Sequence, residues 1–499
     1  MKSRKFYICA ASLILSMTAC KKDYLETSPT DKVSQEEIFS TINNANTALS
    51  GIYRLMFERT TLIDWNVQNK PGVGGVMLAM DFMGDDLNMS SANWFTSTGE
   101  GNWDGHRIDV HRYNEYVYRT FYKIIGDSNY ILDNVDNIEA TDDQKNAVKS
   151  QALTLRAYAY SYLVQFYGKR HTGSGVNDQL GVPLVLNSLD GALPRSTVSE
   201  VYAQIVDDLT EAINIGTTSR TNKSIANQDV ALGLRARVAL TMHDYPAAIE
   251  YANRLITSGA FPLMDQAQYQ QGFNDAPAMS EWIWASMPSS DQADAFGSYF
   301  AQIAYNANTS FMRGNPKRIN SALYDWIPAT DVRKLMWEAE PDAENFPLPT
   351  TAFARQPYMS RKFSIKAPGN SWGDVPLMRL SEMQLILAEA YASSNQDGLA
   401  QDALFELTRV RDSEAVKSTN TGSALLQEIW NHRRVELWGE GFRFLDLKRL
   451  NQPLDRTVVP NFLPGTVNNV MSVPAGDDRW QFVFPRPELD ANPLIEQND

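Results

Sequence analysis

The sequence predicts a mainly α-helical protein, a scaffold of paired helices interrupted by two long, irregular, aromatic-rich insertions. Two observations carry that expectation. Apolar residues recur at helical spacing in window after window, with short polar connections between consecutive windows. Across 58–112 and 261–375 that periodicity gives way to Gly, Pro, Asn and Asp set beside aromatic residues, the composition of loops with their own structure.

Taken in order, Ser34 with Glu37, Thr141 with Gln144 and Thr197 with Glu200 are capping-box pairs, each ahead of an apolar-periodic run. In 144–168 Ala152, Leu155, Ala159, Leu163 and Phe166 fall on one helix face and Gly168 supplies the stop. Helices follow at 198–214, 226–242 and 244–257, and again at 376–393, 398–412 and 424–438. The pair 230–257, with small Ala residues where helices cross and Tyr245 opening the second helix, looks like a tetratricopeptide-type hairpin. Glu281 to Ser286 is the one strand-like run. Gly72, Gly74 and Gly75 lie in the first insertion, and no helix pattern begins there.

Composition excludes several classes. The 499 residues carry 45 Lys+Arg against 59 Asp+Glu, a net charge of -14, with no basic run beyond the first residues. A nucleic-acid partner needs a basic footprint, so none is expected. The first residues read as an export signal: Lys2, Arg4 and Lys5 precede a short apolar stretch from Phe6 to Ser16. That stretch is too short for a membrane span, and no later one approaches the length required. Leu15 to Cys20 resembles the lipobox of bacterial lipoproteins, which makes Cys20 the lipid-attachment residue and 1–19 the removed signal. Cys9 and Cys20 are the only cysteines, so the processed chain would hold no disulfide, thiolate nucleophile or Cys metal site.

Catalytic motifs are missing as well. Met77 stands where a G-x-G-x-x-G loop needs its third glycine, and no G-K-[ST], H-E-x-x-H or G-x-S-x-G is found. His106, His111, His171, His243 and His432 are not at ligand spacing, so no metal or cofactor is expected. Asp85 and Asp86 are adjacent, whereas glycoside hydrolysis needs two carboxylates facing each other across a bond, so they read as turn caps. The densest charge constellation runs from Asn431 to Arg449; Arg433, Glu436 and Glu440 share a helix face, and the matched charges predict a partly buried ion-pair network.

That constellation also carries a family resemblance. Arg433, Glu436, Leu437, Glu440, Gly441, Arg443, Asp446, Leu447 and Arg449 match E-R-R-x-E-L-x-x-E-G-x-R-x-x-D-L-x-R of the SusD/RagB family of outer-membrane nutrient-binding lipoproteins, with His432 in place of the usual Glu. Ala48 to Tyr53, Ala152 to Tyr158, Gly181 to Leu184, Pro194 to Tyr202, Pro376 to Ala390 and Phe484 to Pro493 are similar to further family blocks in the same order, with Arg486 replacing an apolar residue. The resemblance implies a tetratricopeptide-like scaffold and a surface lipoprotein of the outer membrane. It also implies a partner, a SusC-like TonB-dependent transporter on which the protein sits as a lid, and an oligosaccharide cargo. On this reading 1–19 is the signal, 20–32 a lipidated tether, 33–260 an N-terminal part and 261–499 a C-terminal part packed with it as one unit.

Family motifs fix the scaffold, so the ligand site is sought in the insertions. Sugars present flat C–H faces that stack on aromatic rings, oriented by Asn, Asp and Arg. Trp65, Trp94, Phe95 and Trp103 with Asn93 and Asp104 are the candidates in the first insertion, and Tyr299 and Tyr305 in the second, where Phe296, Phe300, Trp326 and Trp372 also lie. Trp282, Trp284, Trp326, Trp430 and Trp438 are expected to pack inside. The function expected is a non-catalytic glycan binder; the alternatives are a helical scaffold for protein contacts and a binder of peptide or glycopeptide cargo. A glycosidase is disfavoured, since no acid pair persuades. The lipobox generates a first prediction: Cys20→Ala should move the protein from the detergent phase to the aqueous phase on partitioning, and unchanged partitioning would refute the anchor.

Overall fold

The computed structural model describes residues 41–63, 68–91 and 101–499; the capping pair Ser34/Glu37 lies outside them. Helix α1 (Ile42–Leu55) is followed by α2 (Gly72–Phe82), strand β1 (Leu87–Asn88), α3 (Arg112–Asn134), α4 (Asp142–Tyr167), α5 (Val198–Ile215), α6 (Gln228–Met242) and α7 (Tyr245–Ser258). Strands β2 (Trp282–Ser286), β3 (Arg318–Ile319), β4 (Trp337–Glu338), β5 (Met359–Ser360) and β6 (Val375–Arg379) come next, then α8 (Leu380–Ser393), α9 (Asp397–Arg411), α10 (Gly422–Glu436) and α11 (Arg443–Arg449). Strands β7 (Leu454–Asp455) and β8 (Ser472–Val473) close the order used below.

The caps are made by the residues that predict them. Thr141 Oγ1 accepts from the N–H of Gln144 at 3.3 Å, and Gln144 Oε1 accepts from the N–H of Thr141 at 3.1 Å. Thr197 and Glu200 repeat the arrangement at the start of α5. Helix α4 packs between α3 and α5, α5 lies on α6, α6 on α7, α7 on α8, and α8 on α9 and α10. Each helix thus leans on its predecessor, the arrangement of a stacked-hairpin array. Because α7 and α8 are neighbours, 261–375 is an excursion from one helix interface that returns to it. One contiguous set of buried apolar side chains runs through both portions of the chain.

Two expectations are corrected here. Residues 376–379 form strand β6, paired antiparallel with β2 (Ala285↔Pro376, Ser286↔Val375), and the helix starts only at Leu380. Pro376 has no N–H to donate, which a two-stranded ribbon tolerates. Gly72–Phe82 forms helix α2, where no helix was expected, and every one of its residues is buried. A helix enclosed on all sides needs no polar face, so it shows no amphipathic period to detect. Its glycines admit close neighbours: a Cβ on Gly75 would lie 2.6 Å from Tyr116 Oη and 2.8 Å from Pro71 Cδ.

The charge constellation becomes an enclosed network. Glu281, Glu436, Glu440 and Asp331 face Arg333, Lys362, Arg379 and Arg411, and all eight are buried. Arg379 donates to Glu436 Oε1 at 2.9 Å, to both oxygens of Glu440 at 2.8 and 2.9 Å, and to Glu281. Arg411 joins Glu281 (2.6 Å) to Glu436 (3.1 Å). Lys362 Nζ donates to Glu440 Oε1 at 2.7 Å and to the carbonyls of Glu436 and Trp438 at 2.8 Å. Burial alone would raise the Glu436 pKa; Arg411, Arg379 and Arg333 hold it well below the usual carboxylate range instead.

The same stretch of chain reaches outward in two more directions. Arg433 pairs with Asp446 at 2.8 Å, and Arg449 with Asp446 (2.7 Å) and Glu389 of α8 (2.5 Å). Arg434 and Arg443 grip Asp86 (2.5 Å) and Asp85 (2.6 Å), so those two residues are ion-pair partners and not the turn caps expected. Gly441 is held at φ +85°, and a Cβ there would meet the backbone of Met77 in α2 at 2.6 Å. Asp81 of α2 accepts from the N–H groups of Gly441 (2.9 Å) and Arg443 (3.3 Å), and burial pushes its carboxyl up to about 7.

Candidate functional site

The two insertions meet in one small sheet of strand order β1-β3-β5-β4, antiparallel throughout. Its register aligns Asn88, Arg318, Met359 and Glu338 across the four strands. The residues after Asn88, those before Arg318 and those after Met359 therefore lie at one end of the sheet. There Asn315 Oδ1 accepts from the N–H groups of Ser90 (2.9 Å) and Ser91 (3.2 Å), and Asn315 Nδ2 donates back to the Ser91 carbonyl at 2.9 Å.

Arg361, two residues past Met359, stands at this end beside the buried Phe346 and the half-buried Tyr305. Its guanidinium lies 4.1 Å from the ring centroid of Phe346, and Tyr305 meets the same ring edge-on at 5.5 Å. Arg361 Nη2 donates to the Asn345 carbonyl at 2.9 Å, Glu338 is 3.8 Å away, and Nε is buried with no acceptor. Burial lowers the guanidinium pKa, opposed by Glu338, Tyr305 and Tyr324. Tyr324 crosses Tyr358 edge-on at 5.4 Å, with Lys334 Nζ 4.6 Å from the Tyr324 centroid. The cluster combines accessible ring surface with a guanidinium and a carboxylate. Aromatic faces take the C–H face of a sugar and the charged groups take its hydroxyls.

Of the residues singled out by sequence, the structure brings only Tyr305 to this cluster. Trp65, Asn93, Trp94 and Phe95 lie outside the described residues. Trp103 is corrected: it is 2% exposed, donates from Nε1 to the Met83 carbonyl at 2.8 Å, and packs on Trp480 (4.6 Å) and Phe444 (5.4 Å). Its loop runs beneath the C-terminal block, where Val483 donates to the His106 carbonyl at 3.0 Å, so a loop position here means burial. Asp104 is exposed on that same loop. Tyr299 is corrected likewise: its hydroxyl donates to the Gly439 carbonyl at 2.6 Å, and its ring packs on Phe300 and Phe363 as a buried wall of a cavity of about 340 Å³. Trp282, Trp284 and Trp438 are buried, while Trp326 and Trp430 are half-buried.

Phe346, Arg361, Tyr324 and Tyr358 were not found by sequence, because only the pairing of 337–338 with 359–360 assembles them. Among the described residues no group of three His, Cys, Asp or Glu is arranged to hold a metal ion, and no helix is long and apolar enough to cross a membrane.

Comparison with known proteins places the whole arrangement. A family profile described as starch-binding and associating with the outer membrane matches residues 23–240, and the SusD family profile matches 262–498. The chain is similar to SusD-like protein P2 of Formosa agariphila, 23% identical over 90% of this chain and 91% of that one. It superposes on a SusD-like carbohydrate binding protein from Bacteroides vulgatus with a TM-score of 0.77, at 26% identity, covering 91% of this chain and 97% of the other. Surface glycan-binding protein A from Bacteroides fluxus shares the fold at a TM-score of 0.71 and 18% identity, over 92% of this chain and 99% of that one.

The placement of Trp103 generates a stability prediction. Trp103→Ala should lower the unfolding free energy by about 3–5 kcal/mol, the range for a buried aromatic truncation, and Tyr305→Ala should leave it nearly intact. Chemical denaturation of both variants checks this; a fully stable Trp103→Ala protein would return Trp103 to the ligand surface.

Proposed function

Because the chain belongs to the SusD/RagB family of outer-membrane-associated binding proteins, we propose that it is a non-catalytic surface glycan receptor that passes oligosaccharide to a TonB-dependent transporter. The observation that carries the reading is the Arg361 cluster, in which the half-buried rings of Tyr305, Tyr324 and Tyr358 gather about a half-buried guanidinium stacked on the buried ring of Phe346. Tyr305, Tyr324 and Tyr358 offer the stacking surface, and Glu338 a hydroxyl acceptor. The carbohydrate-binding names of the B. vulgatus and B. fluxus proteins agree with this assignment.

Trp94 and Phe95 belong to the same proposal on sequence grounds, since they follow Ser91 by three and four residues. The transporter enters through function: a receptor attached by lipid at Cys20, with no membrane-spanning helix among the described residues, would need a separate channel to move its cargo. The proposed role is capture and release.

Tyr305→Ala and Arg361→Ala should each weaken binding of the best glycan from an oligosaccharide array by roughly ten- to hundredfold, about 1–3 kcal/mol, with the melting temperature kept. Calorimetric titration measures it. Unchanged affinity in both variants would remove the sheet end from the site; an array with no glycan bound would favour the protein-scaffold reading.

A further inference from the structure

A second cleft opens on the other side of the charge network, between the chain leaving α4, the end of α11 and the C-terminal loop around Trp480. It encloses about 380 Å³, within the range of small-ligand sites. Lys169, Arg170 and Lys448 all line it, and among the described residues none of the three has a carboxylate partner. Most buried arginines of the chain are matched to acids, and Lys448 joins Lys317, Arg318 and Arg456 as buried cations that bond carbonyls; what sets Lys448 apart is that Lys169 and Arg170 line the same cleft.

The details separate this cleft from a structural ion-pair site. Lys448 is 6% exposed, and its ammonium donates to the carbonyls of Gln165 and Gly168, at 2.5 and 2.9 Å, where α4 ends. That accounts for two of its three donors. With no carboxylate beside it, burial draws the Lys448 pKa down to about 7, so an anion there would relieve an existing penalty. Arg170 donates from Nε to Asn451 Oδ1 at 3.1 Å and leaves its two Nη groups unpaired. The acids at the rim do not neutralise this trio: Asp477 is held by Arg479 at 2.8 Å, and Asp478 is exposed. Gln452 adds a carboxamide without a partner, and Trp480 and Leu447 give apolar wall.

We propose that this cleft is a second binding site, taking an acidic sugar residue of the hexuronate class. Its carboxylate meets Lys169, Arg170 and Lys448, Gln179 and Gln452 take its hydroxyls, and the ring lies along the wall formed by Trp480 and Leu447. Charge complementarity selects the carboxylate, and the polar-and-apolar lining selects a sugar over a bare anion. The ligand class rests on the reading of the protein as a glycan receptor. The site itself is independent of the Arg361 cluster.

The test titrates the full chain with glucuronate, glucose and sulfate by calorimetry. Glucuronate should bind saturably and at least tenfold more tightly than either of the others. The double variant Lys169→Gln/Arg170→Gln, at exposed and half-exposed positions, should lose at least tenfold in glucuronate affinity with an unchanged melting temperature, while Arg361→Ala keeps it. Equal affinity for glucose and glucuronate would overturn the charge argument, and sulfate binding as tightly as glucuronate would overturn the sugar. Full affinity in the double variant would overturn the placement. Loss of glucuronate binding in Arg361→Ala alone would assign the acidic sugar to the sheet end, leaving the glycan-receptor reading standing and this cleft refuted.

Discussion

Everything in this fold is arranged around charges that have been taken out of water. A buried carboxylate is tolerated only when cations and hydrogen bonds replace its hydration, and leaving one member unpaired costs about 3–5 kcal/mol. Glu436 meets that demand with Arg379, Arg411 and Arg333, none of them its neighbour in sequence. Each partner comes from a different element: Arg379 ends β6, Arg411 ends α9, and Arg333 lies in the second insertion. Satisfying one carboxylate therefore fixes three separate segments. Asp85 and Asp86 extend the requirement to the first insertion through Arg443 and Arg434.

This explains how irregular chain can be rigid. The second insertion leaves from the end of α7 and re-enters at α8, and Lys362 anchors its later part by three bonds to the last residue of α10 and the chain that follows. The first insertion is anchored by α2, whose Asp81 takes the N–H groups of Gly441 and Arg443. With both roots fixed on one turn, the strands they carry meet edge to edge and form the β1-β3-β5-β4 sheet. The helical array thus holds a small sheet about which the half-buried Tyr305, Arg361, Tyr324 and Tyr358 gather. Scaffold and proposed recognition surface are separate parts joined by electrostatics, and the side chains of that surface can change without disturbing the joint.

How much of this is legible in sequence depends on the range of the interaction. Thr141 and Thr197 reveal their helix starts because the cap is closed by a residue three positions away. The density of charge around Arg433, Glu436 and Glu440 predicts ion pairs, but not their partners: Glu440 lies past the end of α10, and Glu436 and Glu440 are paired by Arg333, Lys362, Arg379 and Arg411 from distant segments. Helix α2 is hidden because a fully enclosed helix needs no polar face, and β6 because Val375 to Arg379 takes its conformation from Trp282 to Ser286, distant in sequence. Trp103 misleads for the same reason. Its Gly- and Asn-rich surroundings describe a loop correctly, but the covering residues, Phe444 and Trp480, come from the far end of the chain. The Arg361 cluster is wholly a product of strand pairing, and only Tyr305 could be named from an aromatic in a loop.

The charges of the Arg433 to Arg449 stretch engage other charged groups of the fold and not the cargo. Glu436→Gln tests this most directly, since it removes the charge that three guanidinium groups share while keeping the shape of the side chain. Unfolding in urea, read beside glycan titration of the folded variant, should show a loss of about 3–5 kcal/mol in stability with affinity retained. Wild-type stability combined with lost affinity would contradict the account, and would make the interior network part of the binding site.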